Sequence, residues 1–187
     1  MKKVVFLFLF FVLSICNVYA NDESSSIDIA IDVSYLDPLI NNIIYNEITP
    51  SIKISSDLSI RLPINFIIPR EKNLDLIGIG TSIDVLYRPL FNNLFISFSM
   101  IKVEWLLGLD APFENINYLN KLSFGYTFYI KDKLFIEPSI SFFNLNGIYE
   151  ESITILKNNL VGFPTTRFSL LVGYQLFNIN ATEGGKI

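Results

Sequence analysis

The feature that most constrains this chain is a two-residue alternation of apolar and polar side chains. Residues 27–36, IDIAIDVSYL, place Ile, Val or Tyr at the odd positions and Asp, Ala or Ser at the even positions up to 34. Because successive side chains of a β-strand point to opposite faces, this pattern predicts a strand with one apolar and one polar face. The pattern recurs and predicts eight strands, at 26–36, 46–55, 58–68, 75–88, 93–105, 119–130, 133–143 and 166–177.

The fifth predicted strand contains a change of phase. Its apolar residues fall at even positions as far as Met100 and at odd positions from Ile101 onward. One inserted residue, a β-bulge, accounts for this shift.

The connections between the predicted strands alternate in length. Those after the second, fourth and sixth strands are tight, whereas those after the first, third, fifth and seventh are generally longer. Short turns at one rim and longer loops at the other are typical of outer-membrane barrels, whose loops face the outside of the cell. The predicted fold is therefore all-β, an eight-stranded antiparallel up-and-down transmembrane β-barrel with both chain ends on the periplasmic side.

Composition agrees with a membrane barrel. Hydrophobic residues make up 51% of the 187 residues, a high share for a soluble domain. After the first twenty residues, however, no uninterrupted apolar run is long enough for a transmembrane helix. Apolar residues dispersed in alternation are the sequence signature of membrane β-barrels.

The first twenty residues have the pattern of a secretory signal peptide. Lys2 and Lys3 precede an apolar stretch, 4–15, and the spacing in NVYA predicts cleavage after Ala20. An alternative is lipoprotein cleavage before Cys16, which is disfavoured because a bulky isoleucine precedes that cysteine. The predicted division is a signal peptide at 1–20, a short segment at 21–25, the barrel at 26–177 and a short tail at 178–187.

Removal of the signal peptide changes the chemistry available to the chain. Cys16 is the only cysteine, so the mature protein has no disulfide and no thiolate nucleophile. Loss of Lys2 and Lys3 changes the net charge from the −4 of the full chain to −6. This acidic balance argues against nucleic acid as a partner.

Charges on the polar face are few and of both signs, which suits the inside of a narrow barrel. A soluble lipocalin-like ligand carrier, apolar inside and polar outside, is the alternative. It is disfavoured because a solvated face would carry more long charged side chains and fewer serines and glycines. We predict an inward network that consists of Asp28, Asp32, Lys53, Arg61, Asp84, Arg88, Lys102, Glu104, Lys121, Glu137 and Arg167.

Strand counting predicts partners within this network. Arg61 should pair with Asp84, and Glu104 with Lys121, because each pair lies at similar depth on neighbouring strands. Asp28 and Asp32 should pair with Lys53 and Arg167, although a carboxylate-only site for a hard cation is an alternative.

In pattern and length the chain resembles the small eight-stranded outer-membrane barrels, the OmpA transmembrane domain and OmpX group, over residues 26–177. The segment FSLLVGYQLF, 168–177, resembles the aromatic-ended last strand that the insertion machinery of the outer membrane recognises in such families. The chain departs from that pattern by continuing with NINATEGGKI, a tail too short for a peptidoglycan-binding domain. The resemblance implies a monomeric barrel surrounded by outer-membrane lipid.

Enzymes among outer-membrane barrels generally rely on a histidine base, and this chain has no histidine. A serine–lysine arrangement is the remaining option, with Lys102 or Lys121 as the base for Ser99 or Ser123. We expect these side chains to pack and pair instead, so the chain is predicted to be neither an enzyme nor a cofactor-binding protein. IGIGTS, 77–82, is not a nucleotide loop because no helix follows it.

The longer loops remain as candidates for function. LLGLDAPFENIN should expose Leu106, Leu107, Leu109 and Phe113 at the cell surface. GIYEESITILKNN alternates Tyr149, Ile153 and Ile155 and should extend the last two strands above the membrane, where their edge would pair with an extracellular protein. The alternatives are loops that merely share the Ile- and Asn-rich composition of the chain, and a narrow channel through the barrel.

Overall fold

The computed structural model describes residues 25–33, 43–69, 76–89, 93–108, 116–131 and 133–179, so the predicted signal peptide and most of the predicted tail lie outside the described residues. The described part forms one antiparallel sheet and one helix. The elements are β1 (25–32), β2 (43–53), β3 (58–61), β4 (64–69), β5 (76–82), β6 (84–87), β7 (94–108), β8 (116–126), β9 (128–129), β10 (134–143), α1 (150–159) and β11 (166–179).

The sheet closes on itself as a barrel of eight strands. Three of these eight are interrupted once, so that β3 with β4, β5 with β6, and β8 with β9 each form one barrel strand. Pro63 lies at the first interruption, where it has no N–H to donate to a neighbouring strand. Closure is made by β1, in which Ile29 lies opposite Pro50 of β2 and Tyr174 of β11. The predicted eight-stranded, antiparallel, up-and-down barrel is confirmed.

The predicted β-bulge in the fifth barrel strand is confirmed as well. Along β7 the register with β8 shifts between Ser99 and Lys102, which lie opposite Lys121 and Leu119. Ser99 and Lys102 are both buried in the interior, whereas Ile101 is exposed outside. The extra residue thus keeps polar side chains inside along the whole strand.

Side chains of the barrel are polar inside and apolar outside. Along β5 and β6, Ser82 and Asp84 are buried whereas Ile83 between them is 64% exposed. Tyr87 of β6 and outward residues on other strands, including Phe66 and Tyr174, are exposed too. This orientation is the reverse of a lipocalin-like barrel, so the soluble alternative does not describe this fold.

Helix α1 closes the barrel end at which the longer connections lie. Ile153 and Leu156 of α1, with Leu160 just after the helix, are buried against inward side chains at this end of the barrel. The whole cluster consists of Ile43, Tyr45, Ile67, Leu106, Leu119, Phe143, Ile153, Leu156, Leu160 and Phe163. Among the described residues, no helix has the length and apolar character needed to cross a membrane.

The helix overturns the predicted extension of the last two strands. Tyr149, Ile153 and Ile155 do not alternate in a strand, since Ile153 is buried in the cap and the other two are half-buried beside it. Packing decides the conformation here, because apolar residues at 149, 153, 156, 160 and 163 follow a helical spacing and form one stripe. The helix is stabilised by favourable interactions of its dipole with Glu150 and Glu151 in the first turn and with Lys157 in the last.

The prediction for the other loop is wrong in part. Leu106 is buried in β7 beneath the helix, and Leu107 is half-buried in the same strand, so neither is an exposed loop residue. Strand β7 extends three residues beyond its predicted end, to Gly108. Leu109 and Phe113 lie outside the described residues.

Candidate functional site: the ion-paired barrel interior and its helical cap

The interior is built around buried carboxylates, of which Glu137 on β10 has the most cationic partners. Its Oε2 lies 2.6 Å from the Arg61 guanidinium, and its Oε1 lies 3.6 Å from that of Arg88. Thr127 donates a hydrogen bond of 2.7 Å to the same carboxylate, and Arg61 also lies over the Phe95 ring at 5.3 Å. One fully buried carboxylate therefore compensates two buried guanidinium groups.

Asp84 forms a second cluster, with residues of β5, β7 and β8. Lys121 lies 2.6 Å from its Oδ2, and its Oδ1 accepts hydrogen bonds from Ser99 at 2.5 Å and Ser82 at 2.7 Å. All four side chains are buried. The carboxylate is satisfied by one charge and two hydroxyls, as a buried anion requires.

A third cluster lies on β4, β5 and β7 near the cap. Lys102 pairs with Glu104, and Asn65 donates to both oxygens of Glu104 at 3.0 Å while its own oxygen accepts from Lys102. Gly80 faces this group closely, and a Cβ at that position would overlap the Glu104 carboxylate. The glycine leaves the space that the buried carboxylate occupies.

Arg167 of β11 forms the fourth cluster, directly beneath the apolar cap. Its guanidinium pairs with Asp32 of β1 and lies 3.8 Å from Glu47 of β2. The same group lies 3.7 Å from the centroid of the Tyr45 ring, which belongs to the cap cluster. Arg167 thus connects the closing strands of the barrel with the apolar cap.

Two of the ion pairs predicted within the network are not formed. Arg61 and Asp84 are register partners on β3 and β6, but Arg61 pairs with Glu137 and Asp84 with Lys121. Glu104 pairs with Lys102 of its own strand, so both predicted pairs are wrong. The lumen is narrow enough for long side chains to reach across it, and a comparison of neighbouring strands alone misses such contacts.

The predicted network residues lie inside the barrel wall, and all are buried except Asp28 and Lys53, which are half-buried. Asp32 pairs with Arg167 as predicted, whereas Asp28 accepts a hydrogen bond of 3.1 Å from Ser26. Glu47 and Asn65 were missed. Alternation with Thr49 and Ser51 is the signal that places Glu47 on the inner face.

A small polar cavity remains at the centre of the lumen. Its volume is about 20 Å³, which is room for one or two water molecules. Ser97 lines the cavity, and its hydroxyl has no hydrogen-bond partner within the described part of the chain. Towards the short-turn end the interior is filled by the rings of Phe95 and Phe135, which lie against Gly125 and Gly173.

The two lysines considered as bases are both held by carboxylates. Lys121 pairs with Asp84, and Lys102 pairs with Glu104, so each Nζ contacts a carboxylate. Of the serines considered with them, Ser99 donates to Asp84 and Ser123 bonds to Ser141 at 2.8 Å. Across the described ranges, no three His, Cys, Asp or Glu side chains are grouped to hold a metal ion.

An antiparallel barrel with an apolar exterior and an ion-paired interior has the architecture of the transmembrane β-barrels. No protein-family model matches this sequence, and no curated protein sequence matches it. Among solved structures, the N-terminal β-barrel domain of Pseudomonas aeruginosa OprF is similar, with 13% identity and a TM-score of 0.46. The match covers 82% of this chain and 100% of that domain.

Proposed function

We propose that this protein is an outer-membrane β-barrel with a structural or surface-interaction role and no catalytic activity. One observation carries the proposal: ionic side chains are buried inside the wall while large apolar side chains are exposed outside it. Water would leave that exterior unfavourably solvated, whereas lipid would cover it. A closed sheet also leaves no unpaired backbone edge in the hydrocarbon region.

The capped end is where we place the surface role. On the topology of outer-membrane barrels, the longer connections face the cell exterior, so α1 lies on that side. The outer surface of α1 presents Glu151, Thr154 and Lys157, all exposed. An extracellular protein partner would meet this polar surface and the neighbouring loops.

A narrow channel is the second candidate, and the interior disfavours it. The cavity is about as large as one or two waters, and the cap cluster covers it on the α1 side. We expect no current above baseline when the purified protein is reconstituted into planar bilayers. Discrete conductance steps that scale with protein concentration would replace the structural role with transport.

Electrophoretic mobility in detergent micelles tests the proposal as a whole. Unheated, the mature chain should migrate as a compact β-rich species, and boiling should shift it to the position of the unfolded chain. Circular dichroism before boiling provides the control for β-structure. A chain that is soluble without detergent and shows no shift would contradict membrane insertion and direct attention to a ligand inside the barrel.

Absence of catalysis is tested with lipid and peptide hydrolysis assays on the folded barrel. We expect no turnover, since Lys102 and Lys121 are both paired with buried carboxylates. Turnover that is lost on substitution of either lysine by Met, with the heat-dependent shift retained, would overturn this part of the proposal.

A further inference from the structure

A tightly bonded turn, residues 144–149, joins β10 to α1. Asn144 and Gly147 adopt left-handed backbone conformations, with φ of 56° and 68°. The Gly147 N–H donates to the Asn144 carbonyl at 3.1 Å, and the Tyr149 N–H donates to the Asn144 side chain at 2.9 Å. Asn144 in turn donates to Glu150 at 3.1 Å. The turn therefore has a fixed conformation.

This turn is attached to the outer face of the barrel wall. The N–H groups of Asn144 and Leu145 donate to the backbone and side-chain oxygens of Asn120 at 3.0 and 3.1 Å, and Asn120 donates to Asn146 at 2.8 Å. Leu119 and Lys121 face the interior, so strand alternation directs Asn120 outward. Asn120 is nevertheless only 6% exposed, because the turn covers it.

Two large apolar side chains protrude from the turn. Ile148 is 71% exposed, the highest value among the large hydrophobic side chains that the structure describes, and Leu145 is 53% exposed. The adjacent outer face of β8 exposes Ile116 and Tyr118. The turn therefore continues the apolar exterior of the wall instead of projecting away from it.

We infer that residues 144–149 form a membrane anchor, in which Leu145 and Ile148 insert at the boundary between headgroups and acyl chains of the leaflet on the α1 side. The inference depends on the proposed membrane location. Lipid is the occupant that the structure favours, because the same lipid would already cover the neighbouring residues of β8. A preformed turn also loses little conformational freedom when its side chains become buried.

The single tryptophan makes this inference directly testable. Trp105 lies on β7 opposite Ile116, so its fluorescence reports the wall. In the doubly substituted Trp105→Phe/Ile148→Trp protein, the only indole is on the turn. The matched control, Trp105→Phe/Lys157→Trp, places it on the exposed face of α1.

Each protein is folded into phosphatidylcholine vesicles with brominated acyl chains, and quenching is compared with unbrominated vesicles. We expect the indole at position 148 to be quenched about as strongly as native Trp105, and the indole at 157 to be quenched weakly. A Leu145→Trp version of the same protein repeats the measurement if Ile148→Trp loses its heat-dependent mobility shift.

The outcomes separate the anchor from the membrane location itself. Quenching of Trp105 without quenching at 148 or 145 would overturn the anchor, leave the membrane barrel intact and make the exposed pair a surface for another protein. Equal quenching at 157 would also overturn it, since lipid contact would then not be specific to the turn. Absence of quenching at every position, Trp105 included, would contradict the proposed function.

Discussion

At the scale of single residues, Glu137 is the buried carboxylate that pairs with two buried arginines. Arg61 and Arg88 both depend on its carboxylate, and all three side chains are buried. Both arginines reach Glu137 through Nη2, and their Nε atoms have no hydrogen-bond partner in the described structure. Removal of one partner from a buried pair costs more than the pair itself contributes.

Substitution of Glu137 by Gln should strongly destabilise the barrel. It keeps the shape of the side chain but removes the carboxylate that pairs with both guanidinium groups, so we expect a loss of about 3–5 kcal/mol in the free energy of unfolding. Urea titration of the protein in lipid vesicles, followed by tryptophan fluorescence, measures this loss.

Glu151→Gln is the matched control, because it makes the same chemical change on the exposed surface of α1. Its effect should stay within about 0.5 kcal/mol. Equal midpoints for the two variants would show that Glu137 does not hold the arginines in place.

Residues of the interior could be predicted from the sequence, but most of their partners could not; the pair of Asp32 and Arg167 is the exception. The direction of a side chain in a strand is a local property, so alternation alone places Asp84 and Lys121 inside. Their contact joins β6 with β8, which are not adjacent in the barrel, and depends on the lumen width. Glu104 and Lys102 pair within one strand because residues two apart in a strand point to the same face.

At the scale of elements, α1 is a cap that packs on the barrel through a single stripe. Leu156 and Leu160 are fully buried, and Leu160 lies 3.2 Å from the position a Cβ would take at Gly78. The Tyr118 N–H on β8 donates to Ser152 at 3.2 Å and ties the first turn of the helix to the wall. Few contacts besides this stripe hold the helix, which makes it a unit able to open locally.

Substitution of Leu156 by Ala should loosen this cap and leave the wall intact. Loss of a fully buried leucine costs about 2–5 kcal/mol, and the helix is the element that bears this cost. Hydrogen–deuterium exchange should then accelerate in residues 150–159 and remain slow in β7.

Lys157→Ala shortens the neighbouring exposed side chain and should leave exchange unchanged. Slow exchange in α1 of the Leu156→Ala protein would show that the helix is held by contacts other than the buried stripe. Faster exchange throughout β7 would show instead that cap and wall unfold together.

Strands could be predicted more reliably than the helix, for a physical reason. The alternation of apolar and polar residues that identifies a strand is visible within a few consecutive residues. The helix stripe needs Tyr149, Ile153, Leu156, Leu160 and Phe163 together, and part of it lies beyond the helix itself. In ITIL, 153–156, three consecutive β-branched residues favour a strand locally, but the span is too short to distinguish the two structures.

At the scale of the whole molecule, the reversed polarity determines the solvent that the exterior needs. Ile83 lies between two inward polar residues and faces outward from the middle of its barrel strand. In lipid this position would face hydrocarbon, whereas in water it would be an unfavourable exposed side chain. The two environments therefore predict opposite effects of a charge there.

Substitution of Ile83 by Lys should lower the free energy of unfolding in vesicles by about 2–4 kcal/mol, the cost of lysine near the bilayer midplane. Thr154→Lys adds the same charge on the exposed surface of α1 and should have little effect. A neutral or stabilising result for Ile83→Lys, with the same urea titration, would indicate that this face is in water.

Closure of the barrel has a consequence for how the protein must be made. Because β1 lies between β2 and β11, a chain that ends before β11 leaves both β1 and β10 with an unpaired edge. Such edges pair readily with other chains. The first strand gains its second neighbour only when the last strand pairs with it, so each copy has to be kept apart from other copies until the barrel closes.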